Sequence, residues 1–362
     1  MNTKSIVVFS GYNNRALIAF FRTLASLDVP FHIVASDSKD PVFKTTYKKH
    51  VIATRKSKLL DKDEIIKILK HFRADSRSEL LVAPSTESLN RFFLENRDFF
   101  EKNGVFVPLV EKSLYEKISD KKPFSELCKS FGIPIPAEYA DLKSAPVPFV
   151  AKPKTYADAG GNHLSPILVH SEKQKKNFME NEDSNSYYYQ EFVSGGSYYL
   201  LFYITKNRKV HKFSQENLIQ QPGGKSIVAA VGCNLHHSKA AAKFQEMLTG
   251  LGFHGFIMIE VRGSIDELRM IEANPRFWGP SQFFVDSSTN LFLPFLKEYG
   301  IISDLEMNGR SNVSEFNRYF WEGGIYDRES MDFHNYSRVE FDLELDAWKS
   351  CDIYRRNDIL ES

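Results

Sequence analysis

The sequence predicts an α/β domain followed by an α+β region, on three observations. Short β-branched runs alternate with helical patterns over the first hundred or so residues, as in a parallel sheet covered by helices. From residue 111 the texture changes to a helix, a proline-rich connector and aromatic strands at hairpin spacing. Near the end of that part, two apolar strands, "FIMIEV" and "ELRMIEANP", each carry a carboxylate at or near their ends. The expected division is 1–110, 111–302 with a hinge near 190–195, and a C-terminal extension, 303–362, packed on the second part.

Taken in order, "SIVVF" at 5–9 is a β-branched strand, "SGYNN" a turn, 15–27 a helix and "FHIVAS" a second strand, which together make a βαβ unit. "KHVIAT", the helix "DKDEIIKILKHFRA", the strand "ELLVAPS" and the helix "ESLNRFFLENRDFFEKNG" extend it. The first turn offers only Gly11, so a dinucleotide fingerprint is missing. "SDKKPFSELCKSF" is a helix ended by Gly132 and the prolines of "GIPIP". "PFVAKP", "SPILV" and "SYYYQEFV" are strands, with a glycine-containing loop at 155–163 and a polar helix near 171–182 between them. Residues 198–213 and 226–231 are expected to be strands facing each other. "AAAKFQEMLTGLG" is a helix, and "HGFIMIEV" and "ELRMIEANP" a buried hairpin. The extension is aromatic and acidic, and no repeat or low-complexity tract occurs.

Composition limits the function. With 42% hydrophobic and 26% charged residues the chain is globular, and 47 Lys plus Arg against 46 Asp plus Glu give a formal charge of +1. No global charge points to nucleic acid or a membrane surface, so recognition must come from a local site. The three cysteines, Cys128, Cys233 and Cys351, are scattered and form no CxxC pair, which fits a reducing cytoplasm. The amino terminus has too short an apolar run for a signal peptide, and no stretch approaches the roughly 20 residues that span a bilayer.

In "MIEANPRFWG", residues 270–279, Glu272, Asn274 and Arg276 stand at two-residue spacing, so an extended strand projects all three from one face. A carboxylate and an amide oxygen aimed at one point suit a hard cation such as Mg²⁺, which takes one or two carboxylates and completes its shell with phosphate oxygens. A guanidinium beside them suits a phosphoryl group or an oxyanion. Glu260 on the neighbouring strand supplies a second carboxylate, enough for two ions bridged by Glu272. Spacing alone leaves the alternative open that Glu272 and Asn274 are the wet face of a half-exposed strand. Lys152, between Ala151 and Pro153 in an apolar strand, is a charge that needs an anionic partner such as a triphosphate, unless it is a strand-end lysine reaching solvent. Ser85, Thr86 and Glu87 in "APSTES" lie at a strand's carboxyl end, where open α/β sheets bind ligands, although a helix cap explains them equally well. His236, His237 and His254 lack ligand spacing and are surface or core histidines.

These motifs, in this order, resemble the ATP-grasp superfamily of carboxylate ligases, in the branch that holds biotin carboxylase and carbamoyl phosphate synthetase. The likeness runs over about residues 5–300. It implies a pre-grasp domain followed by an ATP-grasp domain made of two α+β halves. "IEANPRFWG" is similar to the branch's metal and arginine motif, with Glu260 on its first metal carboxylate and Glu272 and Asn274 completing the set. "SDKKPFSELCKSFGIPIP" puts Lys121 on the first phosphate-contacting base, and "FVAKP" puts Lys152 on the lysine that reaches the nucleotide phosphates. Lys154 and the glycine loop "TYADAGGNH", through Gly160 and Gly161, would meet phosphate as well. "YQEFVSG" resembles the hinge, so Glu191, Phe192 and Val193 would border the adenine. "SQENLIQQPGGKSIVAA" resembles the central sheet and substrate loop, with Glu216 beside Asn217, then Gly223, Gly224 and Lys225.

The resemblance implies ATP with two Mg²⁺ ions, Mn²⁺ substituting, and small-molecule carboxylate and amine substrates joined through an acyl phosphate. Arg276 and Lys152 would be the catalytic pair, and Glu87 and Arg276 would reach substrate. An amide-forming acid–amine ligase is the main expectation, and a carbamoyl phosphate synthetase-like bicarbonate-activating enzyme, an ATP-grasp kinase and a nucleotide sensor are the alternatives. Members of the branch are often dimers, so a homodimer is allowed, although no helical stripe argues for one. Two departures stand out: Ser197 and Tyr198 occupy the place where many relatives carry a ribose-binding acid, and the biotin and bicarbonate patterns are missing.

Overall fold

The computed structural model describes residues 4–57, 59–72, 79–156, 164–287, 289–303, 317–327 and 329–360. The N-terminal sheet consists of Ser5–Phe9 (β1), Phe31–Ala35 (β2), Val51–Thr54 (β3), Leu80–Val82 (β4) and Val105–Phe106 (β5), in the order β3-β2-β1-β4-β5. Its pairings are all parallel. Such a sheet must be covered on both faces. Asn14–Ser26 (α1) packs Leu17, Phe20 and Leu24 into one core with Ile6, Val8 and Ile33. Lys62–Phe72 (α2), Glu87–Glu95 (α3) and Arg97–Lys102 (α4) pack Ile65, Leu69, Phe93 and Phe100 against Val7, Phe9 and Val82 on the other. The helix expected over 87–104 is two helices, because Asn96 leaves helical geometry and its side chain bonds the Phe92 carbonyl at 2.9 Å.

Lys112–Ser119 (α5) and Lys121–Ser130 (α6) follow, separated at Asp120, whose backbone is extended. Gly132, at φ +63, closes α6 as expected. The second sheet is antiparallel: Glu138–Tyr139 (β6), Phe149–Pro153 (β7), Ile167–Val169 (β8) and Tyr187–Glu191 (β9), in the order β6-β9-β7-β8, with Glu172–Asn181 (α7) behind it. Phe149 and Ala151 point into the core under α7. Strand alternation therefore turns Val150 and Lys152 to the opposite face.

The third sheet runs β14-β13-β10-β11-β12-β15, with a further strand on β11. Its members are Gly196–Ile204 (β10), Val210–Gln220 (β11), Ile227–Gly232 (β12), Gly255–Gly263 (β13), Arg269–Asn274 (β14), Arg318–Phe320 (β15) and Asp332–Phe333 (β16). Residues 198–213 are thus two strands joined by a tight turn at Arg208, φ +66, and it is β11 that faces β12. One face of this sheet packs Leu200, Phe202, Ile257 and Ile259 with Tyr115 of α5, Phe124 of α6 and Phe244 of Lys239–Gly250 (α8). The other face sends Tyr199, Leu201, Tyr203, Phe256 and Met258 into the core of the N-terminal sheet, through Ser281–Asp286 (α9) and Phe292–Glu298 (α10).

The end of the chain contributes β15 and β16, then Arg338–Leu343 (α11) and Leu345–Ser350 (α12), packed on β11 and β12 through Phe320, Phe341 and Trp348. It also returns to the N-terminal sheet's side: Asp358 pairs with Arg22 at 2.8 Å, and Leu360 N–H donates to the Lys44 carbonyl.

Phe277 sits where these cores meet, fully buried, with ring centroids of Phe20, Phe256 and Phe292 at 5.0, 4.9 and 4.9 Å. Phe277→Ala should cost about 3–5 kcal/mol in urea unfolding, because a large cavity opens between two sheets that cannot both relax into it.

Candidate functional site

The cleft of about 1300 Å³ lies between the second and third sheets, with the loops of the N-terminal sheet at one end. Its floor is the β13–β14 hairpin. Glu260 and Glu272 are direct register partners, and the ladder slips immediately after them, so that Val261 faces Met270 and Ile271 is the extra residue of a bulge. The slip has two consequences. Ile271 and Glu272 both line the cleft while Met270 stays in the core under α6. The Ile271 carbonyl also accepts a bond from Lys152 Nζ at 2.7 Å. Two-residue alternation thus holds from Glu272 onward and not before it.

Like charges directly opposite on neighbouring strands repel, and Glu260 is only 4% exposed. Cations surround the pair. Arg262 Nε donates to Glu260 Oε1 at 2.7 Å, and Lys121 Nζ donates to Glu272 Oε2 at 2.8 Å. Burial, with Glu272 nearby, still lifts the Glu260 carboxyl above its ordinary range. Burial also works against Glu272, but the charge and hydrogen bond of Lys121 and the amide of Asn274 bring it well below. Lys121 is lifted in return by Glu272 against the pull of its own burial. Lys152, 4% exposed, is pushed down to about 8, first by burial and then by Lys121.

Asn274 Nδ2 donates to Glu272 Oε1 at 2.8 Å, and Arg276 Nη2 donates to Asn274 Oδ1 at 3.2 Å. The three residues of the motif therefore form one hydrogen-bonded row, with Asn274 buried and Glu272 and Arg276 half-buried against the cleft. The donor set suits a hard divalent cation. Two carboxylates and an amide oxygen are available, and among the described residues no group of three His, Cys, Asp or Glu forms a cage, so the remaining ligands would be water or phosphate oxygens.

At the far end of the cleft, Glu191 is fixed by Arg269 and by the Ala137 N–H at 3.1 Å, and Phe192 and Val193 follow it along the wall. Val150, Leu168, Ile271 and Met258 make the adjoining surface apolar, which suits a flat aromatic ring. Ser197 does not stand in for an acid here. It is fully buried, accepts from Asn217 at 3.0 Å and lies 3.5 Å from Glu260 Oε1.

Of the residues singled out from the sequence, Lys152, Glu191, Phe192, Val193, Glu260, Glu272, Asn274, Arg276, Glu87, Gly223, Gly224 and Lys225 line the cleft, and Lys121 reaches it through Glu272. Lys154 is exposed and does not line it. Glu216 is the register partner of Tyr198, on the face opposite to Glu260, and accepts from Asn335 at 3.1 Å, whereas its neighbour Asn217 turns inward. Gly160 and Gly161 lie outside the described residues. His236 is bonded to Ser214, and neither it, His237 nor His254 lines the cleft. Glu87 is held by Arg91 at 2.8 Å, and the capping role falls to Thr86.

The sequence reading missed Arg262, Arg15, Asp332 and His334. Arg262 was accessible by the logic applied to Arg276, since "EVR" puts it two residues from Glu260 on the same strand. Asp332 and His334 come from the extension. Asp332 accepts from Gly224 N–H at 3.1 Å, and His334 and Arg262 both donate to Gln220 Oε1. Burial and Arg262 push His334 down to about 4, so it is neutral there.

No protein-family model and no curated protein matches the chain by sequence. Solved structures do match by fold. An N5-carboxyaminoimidazole ribonucleotide synthetase from Thermus thermophilus superposes with a TM-score of 0.60 at 14% identity, over 85% of this chain and 80% of that one. The N5-carboxyaminoimidazole synthetase of Staphylococcus aureus, solved with ADP, gives 0.58 at 14%, over 96% and 86%. The biotin carboxylase domain of Hydrogenobacter thermophilus 2-oxoglutarate carboxylase, solved as a dimer with MgADP, ADP and bicarbonate, gives 0.58 at 12%, over 89% and 73%. The fold is therefore the ATP-grasp architecture that the motif order implied. Among the described residues no helix is long and apolar enough to cross a membrane.

An unfolded lysine titrates near 10.5 and Lys152 near 8. Between those values the unfolded chain binds more protons, so stability rises with pH. Lys152→Met should raise the unfolding free energy at pH 7 by on the order of 2 kcal/mol and flatten the rise between pH 8 and 10.5, read by urea titration across pH.

Proposed function

We propose that the protein is an ATP-dependent carboxylate–amine ligase that works through an acyl phosphate and releases ADP and phosphate. The observation that carries this reading is the register-paired Glu260, buried, and Glu272, half-buried, at the floor of a cleft and ringed by Lys121, Lys152, Arg262 and Arg276. Two fold neighbours solved with ADP or MgADP support a nucleotide in that cleft.

In this reading the nucleotide base lies against Phe192 and Val193, with Glu191 at its edge. The phosphates run toward Lys152 and Lys121, and Lys154, exposed outside the cleft, is not among their contacts. Glu260, Glu272 and Asn274 would hold Mg²⁺, one or two ions, with Mn²⁺ able to replace them. The metal would supply charge neutralisation to the phosphates. Lys121 now neutralises Glu272, and with that carboxylate engaged by a cation its ammonium becomes available to phosphate oxygens. Lys152, titrating near 8, gains a strong reason to stay protonated beside a polyphosphate.

The chemistry follows from positioning. A substrate carboxylate oxygen attacks the γ-phosphorus, the bond to the β,γ-bridging oxygen breaks, and ADP leaves. The amine then attacks the acyl carbon, and phosphate departs as the amide forms. Arg276 is held by the Phe277 carbonyl at 2.8 Å and by Asn274, so its guanidinium is fixed beside the reacting group and stabilises the charge that grows in both steps. Glu87, Gly223, Gly224 and Lys225 edge the cleft on the substrate side, and Glu216 is not among them.

Arg276→Ala should lower amide formation by about 10²–10³-fold, the cost of one oxyanion donor, with ADP affinity within a few-fold of the parent by calorimetry. Hydroxylamine should trap a hydroxamate from the parent protein with ATP and the correct acid. ADP formation with neither free phosphate nor hydroxamate for any acid in a broad panel would turn the reading toward a kinase.

A further inference from the structure

Arg15 stands on the first turn of α1 and lines the cleft near the 276–279 turn, well away in sequence from the residues that hold it. Its Nη1 donates to the Ile227 carbonyl at 2.8 Å and to the Tyr319 hydroxyl at 3.1 Å. The guanidinium lies over the Trp321 ring, Cζ 3.9 Å from the centroid. Gly279 completes the seat, since a Cβ there would stand 2.7 Å from Nη2 and 2.8 Å from Cζ. Trp321 in turn lies against Gly324, where a Cβ would come within 2.5 Å of the ring. Four segments, α1, the 276–279 turn, β12 and the extension around β15, thus fix the plane of one guanidinium.

Its remaining donors are uncommitted. Among the described residues Nε and Nη2 donate to nothing, and no carboxylate stands within ion-pair distance of Arg15. Four of the cleft's carboxylates are already matched, Glu87 with Arg91, Glu191 with Arg269, Glu260 with Arg262 and Glu272 with Lys121, and Asp332 accepts from the Gly224 N–H. An arginine present only as a strut has no need of two uncommitted donors beside a cavity, whereas a fixed guanidinium with spare donors presents the fork that binds a carboxylate or phosphate.

We propose that Arg15 binds a second anionic group on the acid substrate, so that the substrate carries, besides the carboxylate activated near Arg276, a further carboxylate or a phosphate. This rests on the ligase reading for the word substrate, but the binding site itself does not depend on turnover. The extension acquires a role from it: Trp321 and Tyr319 hold the specificity residue in place.

The test titrates the protein, with ADP and Mg²⁺ present, with dicarboxylates from malonate to adipate, with phosphoglycolate and 3-phosphoglycerate, and with monocarboxylates of matching length. Hydroxamate formation from ATP is followed in parallel. The expected result is that one dianion binds at least tenfold more tightly than its matched monoanion, and that Arg15→Gln weakens that dianion about 30- to 100-fold, collapsing the preference while the melting temperature moves by only about 3 °C. Gly279→Ala, which displaces the guanidinium without removing it, should fall between. Whether dicarboxylates or phosphorylated acids bind identifies the second group. No dianion preference in the parent protein, or a preference that survives Arg15→Gln, overturns the proposal. Hydroxamate without dianion preference leaves the ligase reading standing and removes this one. A preference lost in Arg15→Gln with no hydroxamate from any acid does the reverse.

Discussion

The site depends on one electrostatic constraint: two carboxylates placed opposite each other on neighbouring strands, inside the protein. Burial and mutual repulsion both oppose ionisation of Glu260 and Glu272, and only a surrounding set of cations makes the arrangement tolerable. Three of those cations come from different parts of the chain, Lys121 from α6, Lys152 from β7 and Arg262 from β13 itself. The positions of α6 and of the second sheet relative to the third are therefore tied to the chemistry of the floor. The bulge at Ile271 belongs to the same device, because it turns a ladder carbonyl toward Lys152 at the point where that ammonium needs a partner.

Around this floor the molecule is unevenly joined. One aromatic core runs without a break from the N-terminal sheet through α1, α9 and α10 to the face of the third sheet, so the 276–279 turn is held from both sides. The small second sheet has its own core under α7, and it meets the floor through polar contacts such as Lys152 to Ile271 and Glu191 to Arg269. Polar seams repack at lower cost than a shared apolar core, so the second sheet is the wall whose position a ligand can adjust. The extension lies on the opposite side, clamped on β11 and β12 and bonded back to Arg22 and Lys44, where it stiffens the substrate end.

Much of this was legible in the sequence wherever a pattern is local. The β1–α1–β2 unit, β7, β9, α8 and the β13–β14 hairpin follow from period-2 or period-3.6 patterning, and Glu272, Asn274 and Arg276 share a surface as their spacing requires. What escaped is what non-local contacts decide. The turn at Arg208 is hidden inside a continuous apolar and polar alternation, the break at Asp120 inside a helical one, and the Ile271 bulge leaves no residue signature. Glu216 was placed by analogy with a recurring pair, and register turned it to the other face while Asn217 faced in. Arg15 was beyond reach because its partner Tyr319 stands 304 residues away.

Charge in the cleft explains why the arrangement is suited to polyanions. Glu87, Glu191, Glu260 and Glu272 on its lining each have one cationic partner and Asp332 accepts from a backbone N–H, while Lys152, Lys225, Arg15 and Arg276 remain without an acidic partner among the described residues. A surplus of this kind is unfavourable in a half-buried cavity. Lys152 is depressed first by burial and then by the neighbouring Lys121. The surplus also has two poles, Lys152 and Arg276 beside the metal-type carboxylates, and Arg15 on its tryptophan seat beyond the 276–279 turn. A single small anion would relieve only one of them. A nucleotide polyphosphate together with an acid of more than one negative group relieves both, and the same groups that are costly in the free protein become favourable at the moment the two ligands are held side by side.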